Sequence, residues 1–281
     1  MLSTLIATDA LCANLQDDNL LLFDCRFDLT DVDRGEQDYG CSHIPGAIYA
    51  HLDRHLSSRI TEQSGRHPMP DIQMLVGWLA SCGLTEDSQV VVYDDCGGAM
   101  AARLWWLLKC LGHDAVALLD GGWQAWLAAG YAVDANLPET SASLYHGEFN
   151  KHCVVTTEAV LSNLRTAHFA LIDVRADFRF RGENEPIDPV AGHIPGAWNI
   201  PLTENLNADG LFKQRDELQG LYADLLAQFP PEQQVYMCGS GVTACHSVLA
   251  MEVITGQRPR VYAGSWSEWI RDPERPVACA E

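Results

Sequence analysis

A single cysteine stands at the start of a short, glycine-rich loop in the second half of the sequence. Cys238 follows the apolar run VYM and precedes GSGVT, after which a predicted helix starts near Thr243. Gly239 and Gly241 allow the backbone to curl so that successive N–H groups point inward and form a cradle for an anion. These donors and the positive end of a helix dipole would stabilise a thiolate. The spacing therefore predicts that Cys238 is a nucleophile.

The identity of the residue six positions after the cysteine distinguishes between the classes of enzyme that use such a loop. Cysteine-dependent phosphatases need an arginine at that position, because it binds phosphate through two parallel hydrogen bonds. This sequence has Ala244 there, so phosphatase chemistry is disfavoured. Covalent catalysis, in which the cysteine stores the transferred group between two steps, fits the loop.

Short apolar runs that end in aspartate or a turn alternate with longer amphipathic stretches along the chain. Leu20–Asp24 and Val90–Asp94 are such runs, and AMAARLWWLLKCLG and VTACHSVLAMEVITG are such stretches. This alternation predicts βα units that build a parallel sheet with helices on both faces. Catalytic groups in such sheets gather at the carboxyl ends of the strands, and Cys238 directly follows a predicted strand.

Five segments occur twice in the same order, which indicates a duplicated domain. LLLFDCRFD recurs as FALIDVRAD, and HIPGA begins at both His43 and His193. The predicted fold class is therefore α/β with two tandem domains. We place the first domain at 1–135 and the second at 154–281. The linker at 136–153 contains Pro, Gly, Ser and Asn and lacks helical periodicity.

The composition of the chain argues against some classes of binding partner. The 281 residues are 47% hydrophobic and carry a formal net charge of −20, so neither nucleic acid nor an anionic membrane surface is an expected partner. No run approaches the roughly 18 apolar residues of a membrane span, and no secretory signal is recognisable, so we expect a cytoplasmic protein. The 10 cysteines are scattered and form no C-x-x-C pair. This predicts free thiols, no metal site and no cofactor.

The sequence resembles the rhodanese family of sulfurtransferases over nearly its whole length. The resemblance is carried by the duplication, the twin HIPGA segments, the runs YDD and AARLWWLL, and the motifs LDGGW and GSWSEW. CGSGVTAC is similar to the loop of 3-mercaptopyruvate sulfurtransferases, whereas the thiosulfate enzymes carry basic residues at the second and third loop positions. Those positions are the neutral Gly239 and Ser240 here. The resemblance thus implies 3-mercaptopyruvate as the sulfur donor and a persulfide on Cys238.

The resemblance also implies further site residues. Arg179 matches the substrate-binding arginine of the family and would hold the donor carboxylate. A second arginine usually follows an E-P pair in these enzymes, but this chain has Ile187 there. The relay proposed for the family would consist of Asp53, His67 and Ser240. The loop residues expected to contact the substrate are Gly239, Gly241, Val242 and Thr243.

The first copy of the domain lacks the nucleophile. Alignment at an offset of 143 residues puts Asp95 in the place of Cys238, and a carboxylate can neither attack the donor sulfur nor store it as a persulfide. We therefore predict that the first domain is catalytically silent. Cys96 stands one position later and is displaced from the base of the loop, so it is not expected to react.

Two other functions stay open at the level of the residues. One is a thiosulfate:cyanide sulfurtransferase, which uses the same mechanism with another donor. The other is a protein that receives a persulfide from a partner enzyme and has little activity with free donors. The Cys238 loop together with Arg179 favours a site for a small molecule. The expected acceptor is a thiol, such as thioredoxin or glutathione, or cyanide.

Overall fold

The computed structural model describes residues 4–279, and in this range the chain forms two parallel sheets of five strands each. The chain divides into two compact units, each built from segments that are not contiguous in sequence. The first unit contains the chain up to Ser58 and residues 70–150 and 208–212; the second contains residues 59–69, 151–207 and the chain from Lys213 onward. The predicted boundaries gave each domain one uninterrupted range, so the exchange of segments is new information from the structure.

The first unit contains strands β1 to β5 and helices α1 to α6. The strands are β1 Thr4–Ile6, β2 Leu20–Asp24, β3 Ala47–Tyr49, β4 Gln89–Tyr93 and β5 Val116–Leu119. The helices are α1 Thr8–Asn14, α2 Arg34–Cys41, α3 Leu52–His55, α4 Ile72–Ser81, α5 Ala101–Cys110 and α6 Gly122–Ala128.

The second unit contains β6 to β10 and α7 to α12. The strands are β6 Val154–Val155, β7 Ala170–Asp173, β8 Trp198–Asn199, β9 Gln234–Met237 and β10 Arg260–Tyr262. The helices are α7 Thr157–Thr166, α8 Asp177–Phe180, α9 Arg215–Leu221, α10 Ala223–Gln228, α11 Ala244–Thr255 and α12 Ser265–Trp269. Short 3₁₀ turns cover Lys151–Cys153, Leu202–Asn205 and Pro231–Gln233.

The two sheets repeat one strand order. The first runs β1-β5-β4-β2-β3 and the second β6-β10-β9-β7-β8, with every neighbouring pair parallel. Central strands such as QVYM in β9 are buried along their whole length, because parallel sheets are covered by helices on both faces. The predicted α/β class with tandem domains is confirmed. None of the helices within residues 4–279 is both long enough and apolar enough to cross a membrane.

A buried ion pair between an arginine and an aspartate occupies the corresponding place in each unit. Arg26 bonds the carboxylate of Asp24 at 2.7 Å, and Arg175 bonds that of Asp173 at 2.6 Å. Each guanidinium also stacks on a tryptophan ring, with 4.6 Å between its central carbon and the ring centroid in both units. The repeat had suggested a structural ion pair for Arg175 rather than a role in binding substrate, and the contacts confirm the ion pair.

The strand registers correct one residue of the sequence alignment. The last residues of β4 and β9, Tyr93 and Met237, pair with the last residues of β2 and β7 respectively. The residues that follow these two strand ends are Asp94 and Cys238. Asp94 therefore occupies the place that corresponds to Cys238, and the prediction of Asp95 was wrong by one position.

An extra residue in the first loop caused this shift. Residues 95–100 separate Asp94 from α5, whereas residues 239–243 separate Cys238 from α11. An alignment at one constant offset matches the helices and misplaces the residue at the base of the loop.

Residues 59–69 pack in the second unit through a contact that only glycine permits. A Cβ on Gly65 would lie 2.7 Å from the carbonyl oxygen of Gly264 and 2.8 Å from the hydroxyl oxygen of Ser267. The N–H of Arg66 donates to that hydroxyl at 3.0 Å, and Arg271 donates to the carbonyl of Ser64 at 3.0 Å. These contacts anchor the segment beside α12.

Candidate active site

Cys238 lies directly after β9, and its backbone is held on both sides. Its N–H donates to the hydroxyl of Ser265, and its carbonyl accepts the N–H of Trp266; both hydrogen bonds are 3.1 Å long. The side chain is almost fully buried, with 2% of its surface exposed. Its Sγ lies 3.1 Å from the nitrogen of Gly241, whose N–H donates to it. The sulfur is thus fixed in orientation and has one of the donors that the sequence predicted.

Gly241 holds this donor in place through a conformation that favours glycine. Its φ is +79°, and a Cβ at this position would lie 2.1 Å from the carbonyl oxygen of Ala263. A residue with a side chain would meet both backbone strain and a clash there. The loop can therefore approach the segment after β10 closely enough to aim this N–H at Sγ.

The remaining predicted loop residues connect β9 to α11. Val242 is buried, Thr243 is the N-cap of the helix, and the helix runs from Ala244 for 12 residues. Because the helix follows the loop at once, the partial positive charge of its first turn lies next to the loop. The predicted residues from Gly239 to Thr243 thus form one continuous turn after Cys238.

His67 and Ser240, two members of the predicted relay, are in contact. The Nδ1 of His67 lies 2.7 Å from the Oγ of Ser240, and each residue is 5% exposed. The tautomer of the imidazole decides which atom donates. Asp53 belongs to the first unit, where it lies on α3 with its side chain exposed and its N–H donating to His51 at 3.1 Å. Its place in the relay stays a prediction.

Arg179 lies on α8 and reaches the glycine next to the nucleophile. A Cβ on Gly239 would lie 3.7 Å from both Nη atoms of Arg179. The guanidinium is held by Glu185, at 3.0 Å from Nε and 2.8 Å from Nη2, and by Asp188, at 3.2 Å from Nη2. Burial raises the pKa of Glu185, but the hydrogen bonds from Arg179 and from two backbone N–H groups outweigh it and lower this pKa overall.

Arg66 is a second cation at the same glycine, and the sequence analysis missed it. A Cβ on Gly239 would lie 2.7 Å from Nη2 of Arg66. The Nη1 of Arg66 bonds one carboxylate oxygen of Asp188, and the other oxygen bonds Arg179. Asp188 therefore bridges the two guanidinium groups. Ile187, where the resemblance leads one to expect an arginine, is 45% exposed and donates its N–H to Glu185.

One signal in the sequence could have pointed to Arg66. It stands directly before His67 in the segment GRHPMP, so any fold that brings this histidine to Ser240 also brings a cation to the loop. The step that sequence patterns do not provide is the assignment of residues 59–69 to the second unit.

The corresponding loop of the first unit is filled by its own side chain. The carboxylate of Asp94 accepts four backbone N–H groups, from Cys96 at 3.0 Å and from Gly98, Met100 and Ala101 at 2.8 Å each. The inward-pointing donors expected of such a loop are thus present, and a covalently attached anion occupies them.

Cys96 is poorly suited to be an alternative nucleophile. Part of the residue is exposed, yet the packing around its thiol and then the charges of Asp94 and Asp95 raise its pKa far above the ordinary value. A thiol in this state is protonated at neutral pH, and the thiolate is the reactive form. Within residues 4–279, no group of three or more His, Cys, Asp and Glu side chains is arranged to hold a metal ion.

Comparisons with known proteins agree with this architecture. The family described as "Rhodanese-like domain" matches the chain twice, over residues 7–129 and 156–272. A Pseudomonas aeruginosa protein named "probable 3-mercaptopyruvate sulfurtransferase" is 46% identical over 279 residues, which are 99% of this chain and 98% of that protein. The thiosulfate sulfurtransferase of Rattus norvegicus is 32% identical over 252 residues, covering 87% of this chain and 84% of that protein.

A solved structure extends the comparison to three dimensions. The structure of SseA from Escherichia coli, described as a 3-mercaptopyruvate sulfotransferase with the rhodanese fold, matches with a TM-score of 0.82 at 28% identity. The match covers 95% of this chain and 100% of that one. Proteins named for either sulfur donor are therefore similar to this chain over most of its length.

Proposed function

The chain belongs to the rhodanese family of sulfurtransferases, and on that premise we propose that it transfers the sulfur of 3-mercaptopyruvate to a thiol acceptor through a persulfide on Cys238. One observation carries the proposal: the Sγ of Cys238 accepts the N–H of Gly241 at 3.1 Å, while two arginines flank the next residue, Gly239. A sulfur held by N–H donors, beside cations that can bind a carboxylate, is the arrangement that this reaction requires.

The proposed reaction has two steps. The Cys238 thiolate first attacks the sulfur of 3-mercaptopyruvate. An S–S bond forms while the C–S bond of the donor breaks, and the electron pair of that bond leaves with carbon as the enolate of pyruvate. Protonation of this carbon gives pyruvate and leaves a persulfide on the enzyme. An acceptor thiolate then attacks the outer sulfur and restores the Cys238 thiolate, so one difficult transfer is divided into two easier ones.

Ser240 and His67 serve the leaving group in this proposal. The hydroxyl of Ser240 donates a hydrogen bond to the enolate oxygen as its negative charge develops. His67, 2.7 Å away through Nδ1, orients the hydroxyl and exchanges the proton. Asp53 keeps its proposed place as the third member of the relay.

The neutral loop supports 3-mercaptopyruvate over thiosulfate as the donor. Thiosulfate is a dianion whose charges lie next to the sulfur that is transferred, and Gly239 and Ser240 offer no cation there. In 3-mercaptopyruvate the single carboxylate is separated from the sulfur, so a cation to the side of the nucleophile can bind it. Arg179 lies to the side of the nucleophile, because a Cβ on Gly239, the residue after Cys238, would lie 3.7 Å from its Nη atoms.

A steady-state comparison of the two donors with one common thiol acceptor tests the proposal. We expect kcat/KM for 3-mercaptopyruvate to exceed that for thiosulfate by at least about tenfold, or roughly 1.4 kcal/mol in transition-state free energy. Equal or reversed values would identify a thiosulfate sulfurtransferase. Negligible turnover of both donors, with uptake of sulfur from a partner protein that bears a persulfide, would identify a carrier.

We also propose that the acceptor is a cytoplasmic thiol, such as thioredoxin or glutathione, with cyanide as the alternative. All ten cysteines are free thiols, and this supports a reducing compartment. Rates of sulfur release from the isolated Cys238 persulfide to each acceptor would rank them. A faster reaction with cyanide than with both thiols would contradict this proposal.

A further inference from the structure

We propose that Ser265 is a positioning residue for the nucleophile. It keeps a backbone conformation that disfavours side chains, so that its hydroxyl can hold the backbone of Cys238 and keep Sγ aimed at the N–H of Gly241. This role rests on the proposed sulfur transfer through Cys238. It falls to a residue that lies outside the loop after β9 and outside the predicted relay.

Ser265 has a backbone conformation that is unusual for a residue with a side chain. Its φ is +54°, in the left-handed region, where Cβ comes too close to the backbone carbonyl in L-residues. Thr4 and Ala167 also have a positive φ, but Ser265 is the fully buried member of the three. A conformation of this kind persists only where the surrounding structure compensates for its strain.

The corresponding residue of the first unit is a glycine. LDGGW and YAGSW align Gly122 with Ser265, and the φ of Gly122 is +53°. A Cβ on Gly122 would lie 2.2 Å from the carbonyl oxygen of Asp94, so no side chain fits there. The turn thus has the same φ in both units, but only the unit with the nucleophile places a side chain on it.

The hydroxyl of Ser265 connects the ends of two neighbouring strands. It donates to the carbonyl of Tyr262, the last residue of β10, at 2.8 Å, and it accepts the N–H of Cys238, which directly follows β9, at 3.1 Å. A hydroxyl group can donate and accept at the same time. The side chain therefore continues the hydrogen bonding between β9 and β10 beyond the last paired residues of these strands.

The hydrogen bonds of this turn fix the nucleophile on both sides of its Cα. Ser265 holds the N–H of Cys238 and Trp266 holds its carbonyl, so rotation about the backbone bonds of Cys238 would break one of them. Sγ is thereby kept 3.1 Å from the nitrogen of Gly241. Because hydrogen bonds weaken steeply as they bend, a fixed backbone keeps this donor effective for the thiolate.

The test uses two substitutions that both remove the hydroxyl but differ in their effect on the backbone. Ser265→Gly relieves the strain of the positive φ, whereas Ser265→Ala retains it. Activity should follow the hydroxyl, and stability should follow the backbone. The measurements are the rate at which iodoacetamide alkylates Cys238 without donor, located by peptide mapping, the steady-state kinetics with 3-mercaptopyruvate, and the melting temperature.

We expect iodoacetamide to alkylate Cys238 about three- to tenfold more slowly in both variants than in the wild type at neutral pH, as for the loss of one neutral hydrogen bond. The value of kcat should fall by a similar factor, while KM for 3-mercaptopyruvate stays within about twofold because the donor-binding residues are unchanged. Ser265→Gly should melt about 2–4 °C above Ser265→Ala.

Ser88 in the first unit is the matched control. It is also buried, its Oγ accepts the N–H of Thr85 at 3.0 Å, and its φ is not positive. Ser88→Ala and Ser88→Gly should leave the alkylation rate of Cys238 unchanged. The order of their melting temperatures should be the reverse of that at Ser265, because glycine brings no relief of strain at an ordinary φ and gives the unfolded chain more freedom.

Wild-type rates of alkylation and turnover in both Ser265 variants would overturn the inference. Recovery of activity in Ser265→Gly alone would also overturn it, because activity would then follow stability. If Ser265→Ala does not fold, the rates of Ser265→Gly decide. A wild-type protein that turns over neither sulfur donor would instead contradict the proposed transfer, and the alkylation rates would still show whether Ser265 positions Cys238.

Discussion

The loops after β4 and β9 start at corresponding places in two sheets with the same strand order, yet different groups occupy them. In the first loop the carboxylate of Asp94 accepts four backbone N–H groups. In the second the sulfur of Cys238 accepts one, from Gly241, at 3.1 Å. The first loop is longer by one residue, and the donors to its carboxylate come from the loop and from the first residue of α5.

This difference separates a structural use of the loop from a chemical one. A carboxylate on the chain occupies the donors permanently and ties the loop to the first turn of α5. In the proposed reaction, a cysteine at the corresponding place stores a second sulfur between two steps. Loops at corresponding places in the two sheets can thus support either stability or, as proposed for Cys238, group transfer, depending on the side chain at the base of the loop and on the length of the loop.

The largest effect is expected at the nucleophile. Cys238→Ser removes the thiolate and should lower turnover by roughly a thousandfold or more, because no persulfide can form. Mass spectrometry after treatment of the wild type with donor alone should find one added sulfur, about 32 Da, on Cys238. Cys96→Ser is the control and should retain full activity. If the added sulfur mapped to Cys96 or Cys245, Cys238 would not be the nucleophile, and the contrast between the two loops would be wrong.

The next effect concerns the stability of the loop that follows Asp94 in the first unit. Asp94→Asn replaces one acceptor oxygen by an NH₂ group that faces backbone N–H donors. We expect a loss of about 3 kcal/mol in the free energy of unfolding, measured with urea, because charged groups contribute strongly to buried hydrogen bonds. Asp95→Asn is the control and should cost less than about 0.5 kcal/mol. A fall in kcat of the folded Asp94 variant without loss of stability would assign this loop to the chemistry.

A smaller effect on catalysis is expected at Arg179. Arg179→Ala should lower kcat/KM for 3-mercaptopyruvate by about ten- to a hundredfold, and Arg179→Lys by less, because the lysine keeps the charge without the fork. The melting temperature should fall only slightly, since Glu185 retains Arg175 at 3.4 Å and Asp188 retains Arg66. A large drop in melting temperature with unchanged kinetics would make Arg179 a structural residue only.

The smallest effect is a change in the pH dependence of stability. Burial raises the pKa of Glu185, but hydrogen bonds from Arg179 and the backbone lower it below the ordinary value of 4.5. A lowered pKa in the folded state contributes stability that is present above the ordinary pKa and is lost as the pH falls through the lower folded value. Glu185→Gln should therefore lower the melting temperature near neutral pH and flatten its decline in acid.

Glu36→Gln is the matched control in the first unit. Glu36 pairs with Arg54 at the surface, where both side chains are about half exposed, and such pairs contribute little to stability. Identical pH profiles for the two variants would contradict the role given to the Glu185 pair.

The fold and part of the site were accessible from the sequence because they depend on local patterns. The duplicated motifs predicted two tandem α/β domains, and the glycine-rich loop predicted a cysteine beneath N–H donors. The resemblance also named His67 and Ser240, which lie in contact.

Two features of the structure could not be predicted from local sequence patterns. The place of Asp94 follows from an extra residue in a loop, which an alignment at constant offset cannot show. The position of Arg66 beside Gly239 requires that residues 59–69 pack in the second unit, and this depends on the fit of Gly65 against α12.

The exchanged segment also limits how this protein can be divided. A fragment that starts at Lys151, the first residue of the second unit after the exchange, would contain Cys238 and Arg179 but neither His67 nor Arg66. Splitting of the gene at its apparent midpoint would therefore separate residues that the second unit contains, and we expect the second half alone to lack activity. A peptide of residues 59–69, supplied in trans, is the minimum that could complement such a fragment.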